Sequence, residues 1–451
     1  MDKFFGIQAA KSSIRTEIIA GFTTFFTMAY IIVVNPNILS ATTSDPDAYW
    51  GPIFIATCLS AAVGTLMMGL YARLPFAQAP GMGLNAFFAF SVATVYGYNG
   101  ALAAVLVSGI IFILITLIGL RESIVKAIPQ NLKIAISAGI GLFIAFVGLQ
   151  GAGLIVNDDA TLVNFASFSL KQDAFPFAPL LALIGVVLIA ILYHFKIKGS
   201  ILIGIIVCTL IGIPMGVTQL PESITTAHLA ENFSSWTNLS LFKLDFGALL
   251  GDTGGFFAGV LSILTVVISF TMVDMFDTIG TLVGTAKQAK MLDENGNLPR
   301  MRQALMCDAV ATVAGACMGT STVTTYVESG SGISEGGKTG LTSVTTGLLF
   351  IVAIILAPLA MIVPSAATAP ALIIVGVLMM SGIKELDFSD MTEAVPAFLT
   401  VIMMPLTYSI ATGIGIGIIS YVLIKLCTGK VKDLSIITAI IAALFIIKFI
   451  L

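Results

Sequence analysis

The sequence contains few charged residues, since Asp, Glu, Lys and Arg make up only 10% of its 451 residues. Soluble domains carry about 25% charged residues, whereas 57% of this chain is apolar and its mean hydropathy is +1.04. The composition therefore excludes an ordinary soluble domain and predicts an integral membrane protein. No cluster of Lys and Arg is dense enough to compete for phosphates, so we expect no nucleic-acid partner.

Cysteine and histidine are also scarce. The five cysteines are scattered without a C-x-x-C spacing, which predicts neither a disulfide framework nor a zinc site. The two histidines, His194 and His228, lie in predicted loops, so we expect no histidine proton relay. The sequence has no P-loop motif, which excludes ATP-driven transport for this chain alone. We expect neither a cofactor nor a metal.

Long apolar segments, by contrast, recur along the whole chain. We predict fourteen membrane spans, at residues 18–39, 53–71, 78–97, 101–120, 132–149, 177–193, 201–219, 256–284, 303–318, 321–337, 341–362, 366–382, 395–410 and 411–427. A further apolar stretch, 434–451, is either a fifteenth span or a helix lying along the membrane interface. With a cytoplasmic N-terminus, eighteen Lys and Arg residues fall on the cytoplasmic side, and only Lys171 and Lys243 fall on the other. This bias supports fourteen crossings of the cell membrane in that orientation.

Glycine and proline interrupt two of these spans. The stretch QAPGMGLNAFFAF (78–90) contains Pro80, Gly81 and Gly83, and GTSTVTTYVESGSGISEGGKTG (319–340) contains six glycines and a Thr- and Val-rich opening. β-Branched residues such as Thr and Val favour extended backbone. Extended backbone inside a membrane is tolerated only where it lines a cavity or contacts protein, so these two segments are candidates for a binding site.

The two interrupted segments occupy matching places in the chain. An offset of 244 residues lays FTMAY, which begins at Phe26, on FTMVD, and it lays Asn85 on Ser329. Seven predicted spans separate the two places, and an odd number of spans inverts the second half relative to the first. We therefore predict two inverted repeats, residues 1–250 and 251–451. Broken segments at corresponding positions of such repeats are typical of a secondary-transporter binding site.

The segments QAPGMGLNAFF, MVDMFDTIGTLVGTA and GTSTVTTYVESGSGISEGGKTGLTSV closely resemble the purine-permease branch of the nucleobase–cation symporter family, which carries adenine, guanine or hypoxanthine. The resemblance covers nearly the whole chain in the same order. It implies an all-α polytopic membrane protein of seven plus seven inverted spans, with a core of spans 1–4 and 8–11 and a gate of spans 5–7 and 12–14. In that fold the third and tenth spans are part strand and part helix, and the base binds between them.

The resemblance implies a transporter rather than an enzyme, namely a secondary active importer, and we expect elevator-like alternating access. We expect proton symport, because three buried acids are available and no sodium-type cluster of hydroxyls and carbonyls can be singled out. Where the uracil and xanthine branches carry Glu-His in the eighth span, this chain carries DMFDT, which favours purines without a 2,6-dioxo pattern. The expected partners are a purine base, a proton and membrane lipid. The preferred purine, sodium as the alternative coupling ion, and a homodimer are left open.

Carried over position by position, the resemblance places functional carboxylates at Asp274 and Asp277 in the eighth span and at Glu328 in the tenth, with an amide at Asn85 in the third. An alternative role for Asn85 is to satisfy the broken backbone of its own span. The candidate substrate-binding residues are Asn85, Asp274, Asp277, Tyr326, Val327, Glu328 and Ser329. Tyr326 and Val327 are candidates through their backbone groups.

Asp274 and Asp277 are the only charged residues from Gly255 to Ala286, and their i, i+3 spacing puts both on one helical face. Charged residues at this depth are costly and usually functional, although a structural contact between spans is the alternative. A carboxylate accepts from purine N–H groups, and a protonated carboxyl donates to ring nitrogens or to O6. We therefore predict that Asp274, Asp277 and Glu328 couple proton entry to base binding.

Two neighbouring acids receive structural assignments. Asp308 lies near a span end and is predicted to be a structural or supporting group, and Glu335 is predicted to pair with Lys338. Two other functions are weighed against base transport. An anion exchanger of the same general fold needs an electropositive site, whereas this one collects acids. An intramembrane aspartyl protease needs a G-x-G-D motif, and the nearest match, GALLGD ending at Asp252, has the wrong spacing.

Overall fold

The computed structural model describes residues 2–119, 128–168, 177–220, 227–250, 256–288, 291–293 and 298–450. Within these residues, eight helical stretches are long and apolar enough to cross a membrane, and three shorter apolar helices accompany them. This architecture confirms a helical polytopic membrane protein. The count of fourteen spans and the inverted repeat stay predictions.

The helices of the described residues are α1 (Asp2–Phe5), α2 (Ile14–Met28), α3 (Ile31–Ser40), α4 (Pro46–Met67), α5 (Met82–Phe87), α6 (Ala93–Leu117), α7 (Gln130–Gly151), α8 (Phe177–His194), α9 (Ser200–Gly212), α10 (Ala227–Leu239), α11 (Phe246–Leu250), α12 (Phe256–Gln288), α13 (Met301–Met318), α14 (Ser329–Ser334), α15 (Gly340–Ala353), α16 (Ala357–Ala360), α17 (Ser365–Met380), α18 (Met391–Leu406), α19 (Ile410–Cys427) and α20 (Ile436–Ile450). The strands are β1 (Gln78–Pro80), β2 (Ile155–Asp158), β3 (Leu162–Phe165) and β4 (Val323–Thr325).

The helices form two sets that pack mainly among themselves. In the first set, α4 packs against α3, α13 and α15, while α2 packs against α14 and α15. In the second set, α17 packs against α7, α8 and α9, and α18 lies between α7 and α19. The largest buried apolar cluster joins α3, α4, α5 and α6 with α7 and α19, so it lies where the two sets meet.

The two interrupted segments pair with each other as a short antiparallel sheet. Gln78 lies opposite Thr325, and Pro80 lies opposite Val323. Each strand leads into a short helix, β1 into α5 and β4 into α14. The prediction that these two segments are part strand and part helix is therefore confirmed. Helix α6 is itself interrupted at Gly97, whose φ of 70° and ψ of 169° suit glycine, at the predicted boundary between the third and fourth spans.

Side chains from neighbouring elements satisfy the buried edges of this sheet. The Thr65 hydroxyl donates to the Gln78 carbonyl oxygen at 2.9 Å and accepts from the Gln78 N–H at 2.9 Å. The Thr312 hydroxyl donates to the Val323 carbonyl oxygen at 3.2 Å. Because lipid offers no hydrogen bonds to an open sheet edge, these hydroxyls allow extended backbone to persist inside the helical bundle.

Several elements of the structure were not predicted from the sequence, and a two-stranded hairpin and helix α10 are the longest of them. Strands β2 and β3 form a hairpin whose turn is held by Asp158, which accepts from the backbone N–H groups of Ala160 and Thr161 at 2.9 Å each. The Thr161 N–H is the main reason that the pKa of Asp158 lies below its ordinary value. Helix α10 is the second element. Both lie in polar connections without the long apolar run from which the other helices were predicted.

The predicted ion pair between Glu335 and Lys338 is wrong, because Glu335 pairs with Lys198. Lys198 directly precedes Gly199, which sits at a positive φ of 71° beside the start of α9. The pair therefore joins the connection between α8 and α9 to the end of α14. Sequence proximity favoured Lys338, but the fold brings the more distant lysine to the carboxylate.

Glu17 is a fully buried carboxylate that fastens α2 to the start of α15. It accepts from the Lys338 N–H at 3.0 Å, the Thr339 N–H at 3.2 Å and the Thr342 hydroxyl at 2.6 Å. Hydrogen bonds to a charged group contribute about 1.5–3 kcal/mol each. Glu17→Gln offers one acceptor oxygen in place of two and points an NH₂ at a donor. We expect a clearly lower unfolding temperature in detergent.

The matched control for this prediction is Glu385→Gln, because Glu385 is exposed and its neutralisation leaves no buried donor unpaired. Thermal unfolding of both purified variants, followed by the monodisperse fraction after heating, makes the comparison. Equal midpoints for Glu17→Gln, Glu385→Gln and the wild type would contradict the anchoring role.

Candidate functional site

The sheet formed by β1 and β4 lies against α12, the helix that carries the two predicted aspartates. Asp274 and Asp277 fall near the middle of Phe256–Gln288. The Thr324 hydroxyl of β4 lies 3.4 Å from the Asp277 Oδ2 and donates to it. Asp274 is fully buried, whereas Asp277 keeps some exposure. The structure thus brings the eighth-span carboxylates beside the strand of the tenth segment.

Glu328 follows β4 and directly precedes α14. Its Oε1 accepts a hydrogen bond of 2.6 Å from the hydroxyl of Tyr30, which is only 1% exposed. Asp277 interacts electrostatically with both Glu328 and Asp308, so four carboxyls, counting Asp274, lie in one region. Glycine 332 lets α14 approach α2 closely, since a Cβ there would collide with the Ala20 carbonyl oxygen.

Asp308 and Asp274 meet at a single hydroxyl. The Thr278 Oγ1 lies 3.2 Å from the Asp274 Oδ1 and 2.7 Å from the Asp308 Oδ1. All three side chains are fully buried. Asp308 is thus linked through Thr278 to Asp274, a predicted site residue. This contact is consistent with the predicted supporting role of Asp308.

Three of the predicted residues, Asn85, Tyr326 and Ser329, support the sheet in this conformation. The Asn85 amide donates to the Pro80 carbonyl oxygen at 3.4 Å and its Oδ1 accepts from the Ser321 hydroxyl. The Tyr326 hydroxyl donates to the same Pro80 oxygen at 2.5 Å. Asn85 therefore satisfies the backbone of its own broken span, which is the alternative role considered for it. Its contact with a base stays a prediction.

The Ser329 hydroxyl accepts from the Ala77 N–H at 3.0 Å, so it closes the end of the sheet opposite Pro80. The side chain of Val327 is 57% exposed, and its carbonyl oxygen accepts from the Gly330 N–H at 2.9 Å. This carbonyl is thus engaged in the turn that begins α14. Direct base contacts by Ser329 and Val327 also stay predictions.

The sequence does not predict the contacts of three residues at the site, Tyr30, Thr278 and Asp308. No motif in the sequence marks Tyr30, although the 244-residue offset lays it on Asp274. Thr278 follows Asp274 by one helical turn, a spacing that places both on one face. For Asp308 the sequence predicts a structural or supporting role but does not reveal its partner. In each case the missing information was a contact between spans, which residue spacing along one helix does not reveal.

The chemistry of this arrangement is acidic and hydroxyl-rich. Among the residues that the structure describes, no group of three His, Cys, Asp or Glu side chains is arranged to hold a metal ion. Phe87 packs edge-to-face on Phe270 with ring centroids 4.7 Å apart, so this ring is part of the core in this conformation. Asp252 and residue 251, the predicted start of the second repeat, lie outside the described residues.

Comparison with known proteins identifies similar chains along the full length. A model described as Permease family matches residues 15–416. Adenine permease AdeP of Escherichia coli is 42% identical, and the similarity covers 100% of this chain and 96% of AdeP. Guanine/hypoxanthine permease PbuG of Bacillus subtilis is 43% identical, with 100% of this chain and 99% of PbuG covered.

Among solved structures, the transmembrane domain of a cyanobacterium bicarbonate transporter, BicA, has a similar fold. Its TM-score is 0.64, and the similarity covers 88% of this chain and 96% of that chain. The sequence identity is 16%, so this similarity concerns the fold alone.

Proposed function

Because this chain belongs to the Permease family, and its relatives include permeases named for adenine and for guanine and hypoxanthine, we propose that it imports purine nucleobases by proton symport. The chain is a multi-pass membrane transporter and not an enzyme. The observation that carries the proposal is the cluster of Asp274, Asp277 and Glu328 beside the β1–β4 sheet.

Purine recognition follows from what these groups can donate and accept. A purine presents ring N–H donors, ring-nitrogen acceptors and an amino or oxo group on one plane. Ionised Asp277 and Glu328, both partly exposed, would accept from the N–H groups, and a protonated carboxyl would donate to a ring nitrogen or O6. We propose that the protonated site binds the base more tightly than the ionised site does, and by linkage the bound base then favours proton uptake by the same factor.

The alternating-access part of the proposal draws on the packing of the helices. We propose that the two helix sets are the core and the gate expected from the resemblance, and that they move past each other in an elevator-like step. The N-terminus is proposed to be cytoplasmic in the cell membrane, with repeats 1–250 and 251–451. The Lys198–Glu335 pair would then join gate to core on the cytoplasmic side.

The two other functions are not favoured. The fold similarity between this chain and BicA is the argument for an anion exchanger, but at 16% identity this similarity does not extend to the cargo. A cluster of carboxyls also repels anions. An aspartyl protease needs two aspartates that face each other across a substrate. Asp274 and Asp277 instead lie one turn apart on the same helix.

Substrate class is tested by uptake in cells that lack their own purine permeases. We expect accumulation of labelled adenine, guanine or hypoxanthine that increases as external pH falls over the mildly acidic range. Unlabelled purines of this group should compete, whereas uracil and xanthine should compete weakly. Preferential uptake of uracil or xanthine would overturn the purine assignment, and purine uptake that ignored pH would overturn proton coupling alone.

A further inference from the structure

The Thr278 hydroxyl stands between two buried acids from different helices. It lies on α12, one turn after Asp274, and it reaches across to Asp308 on α13. The Oγ1 atom is 2.7 Å from the Asp308 Oδ1 and 3.2 Å from the Asp274 Oδ1. The 2.7 Å contact is typical of an O–H donor facing a carboxylate, and the 3.2 Å contact is longer and weaker.

A threonine hydroxyl carries only one hydrogen, so it donates to one acceptor at a time. Its shorter contact assigns that hydrogen to Asp308. The second contact is then a hydrogen bond only if Asp274 is protonated and donates to the Thr278 oxygen. Two ionised aspartates around one hydroxyl would leave a lone pair facing a lone pair in a buried site, where electrostatic repulsion is poorly screened.

We propose that Thr278 joins Asp274 and Asp308 into one proton-sharing unit, in which the pair holds a single proton and Asp308 accepts it when a base engages Asp274. This rests on the proposed function as a proton-coupled base transporter. The unit assigns Thr278 a positioning role and gives Asp308 a part in coupling.

The proton step is balanced. Asp274 gives its carboxyl proton to the Thr278 oxygen while the Thr278 hydroxyl proton passes to the Asp308 carboxylate. One O–H bond forms as one breaks at the threonine, so the hydroxyl is regenerated. Asp274 is left ionised and able to accept from a purine N–H, and the proton stays in the protein. The reverse transfer returns the pair to its starting state after the base leaves.

Other ionisable groups bear on this pair from the surrounding elements. Asp277 shares α12 and interacts electrostatically with Asp308 and with Glu328. Elements α5, β4 and α14 carry no charged residue, and α6 carries only Tyr96 and Tyr98 among titratable groups. Cys307 directly precedes Asp308 on α13. The Tyr30 hydroxyl donates to Glu328 at 2.6 Å.

The basic residues on helices that pack against α12, or on α13 itself, are Lys133, Arg302, Lys425 and Lys448. The Arg302 guanidinium donates to the Leu117 carbonyl oxygen at 2.6 Å. Lys425 pairs with Glu393 at 2.8 Å and with Asp433 at 3.2 Å. Arg302 and Lys425 thus have partners of their own. The carboxyls of Asp274, Asp308 and Asp277 are the groups whose titration we expect a change at Thr278 to affect.

Thr278→Val keeps the shape of the side chain and removes the hydroxyl, and Thr278→Ser keeps the hydroxyl. Without the bridge, the singly protonated pair loses a hydrogen bond and needs a higher proton concentration to form. We expect half-maximal uptake by Thr278→Val to shift to lower external pH by about one pH unit, with activity at neutral pH reduced about tenfold. Thr278→Ser should retain the wild-type pH profile.

Asp308→Asn separates proton sharing from simple packing. If the three groups act as one unit, Thr278→Val in the Asp308→Asn background should cause no further shift of the pH profile, because the effects are not additive. Additive shifts, or a wild-type profile for Thr278→Val at wild-type abundance, would overturn the proton-sharing unit while leaving pH-dependent purine uptake by the wild type intact. Uptake by the wild type that ignored pH would overturn the proposed coupling itself.

A second measurement covers the case in which Thr278→Val fails to fold. Infrared difference spectra of the purified wild type, recorded with and without hypoxanthine, report protonated carboxyls through their C=O stretch. We expect one such band to move on base binding and to be altered in both Thr278→Ser, through a changed frequency, and Asp308→Asn, through its loss from the bound state. A spectrum without any base-dependent carboxyl band would overturn the proposal.

Discussion

Asp274→Asn, Asp277→Asn and Glu328→Gln are each expected to reach the membrane and to lose most base uptake. Each substitution keeps the shape of the side chain but removes both the charge and the exchangeable carboxyl proton. A hydrogen bond to a charged group is worth about 1.5–3 kcal/mol, or roughly tenfold or more in affinity. Loss of the proton-holding group should reduce accumulation further, because the base would enter without its coupling ion.

The measurement is initial-rate uptake and base binding by purified variants, normalised to the amount of protein in the membrane. Asp159→Asn is the matched control, since Asp159 is exposed in the β2–β3 turn and undergoes the same chemical change. Normal transport by both Asp274→Asn and Asp277→Asn at normal abundance would mean that these acids are structural.

Gly332→Ala is expected to abolish uptake by displacing α14 from α2. A Cβ at this position would collide with the Ala20 carbonyl oxygen and with the Thr24 hydroxyl. The first of these is backbone and cannot rotate away, so the helices must separate. Such overpacking costs about 1–3 kcal/mol or more. Tyr30 follows α2 and Glu328 precedes α14, so separation of the two helices would also break the 2.6 Å hydrogen bond between these residues.

Gly280→Ala provides the control, because no heavy atom among the described residues lies within 4 Å of a Cβ added there. Alanine favours helix over glycine by about 1 kcal/mol, so Gly280→Ala should fold at least as well as the wild type. Both variants are compared by folded yield and by hypoxanthine uptake. Wild-type uptake by Gly332→Ala would show that α14 does not depend on this close approach.

The sequence predicted the elements whose pattern is local. The membrane spans follow from long apolar runs, and the extended part of the tenth segment follows from its Thr- and Val-rich opening. The register of β1 on β4 could not be predicted, because three-residue strands have no alternating pattern to fix it. Gln78 and Thr325, which lie opposite each other, are brought together only by the packing of many intervening spans.

The candidate site divides in the same way. Asp274 and Asp277 stand out because charge is rare in a long apolar segment, and this rarity can be recognised without a structure. Tyr30 and Thr278 belong to common residue types in membrane helices, so nothing in the local sequence marks them. Their importance depends on contacts with Glu328 and Asp308 from other helices, which only the fold supplies.

Proton movement driven by a purine tests the central claim most directly. The purified protein is reconstituted in liposomes that contain a pH-sensitive dye, and hypoxanthine, guanine or adenine is added outside. We expect acidification of the lumen that depends on the base, and accumulation of labelled base when the outside is made acidic. A protonophore should collapse this accumulation, and Asp274→Asn should show neither effect. Base accumulation without proton entry, or accumulation driven only by a sodium gradient, would contradict proton-coupled purine transport by this protein.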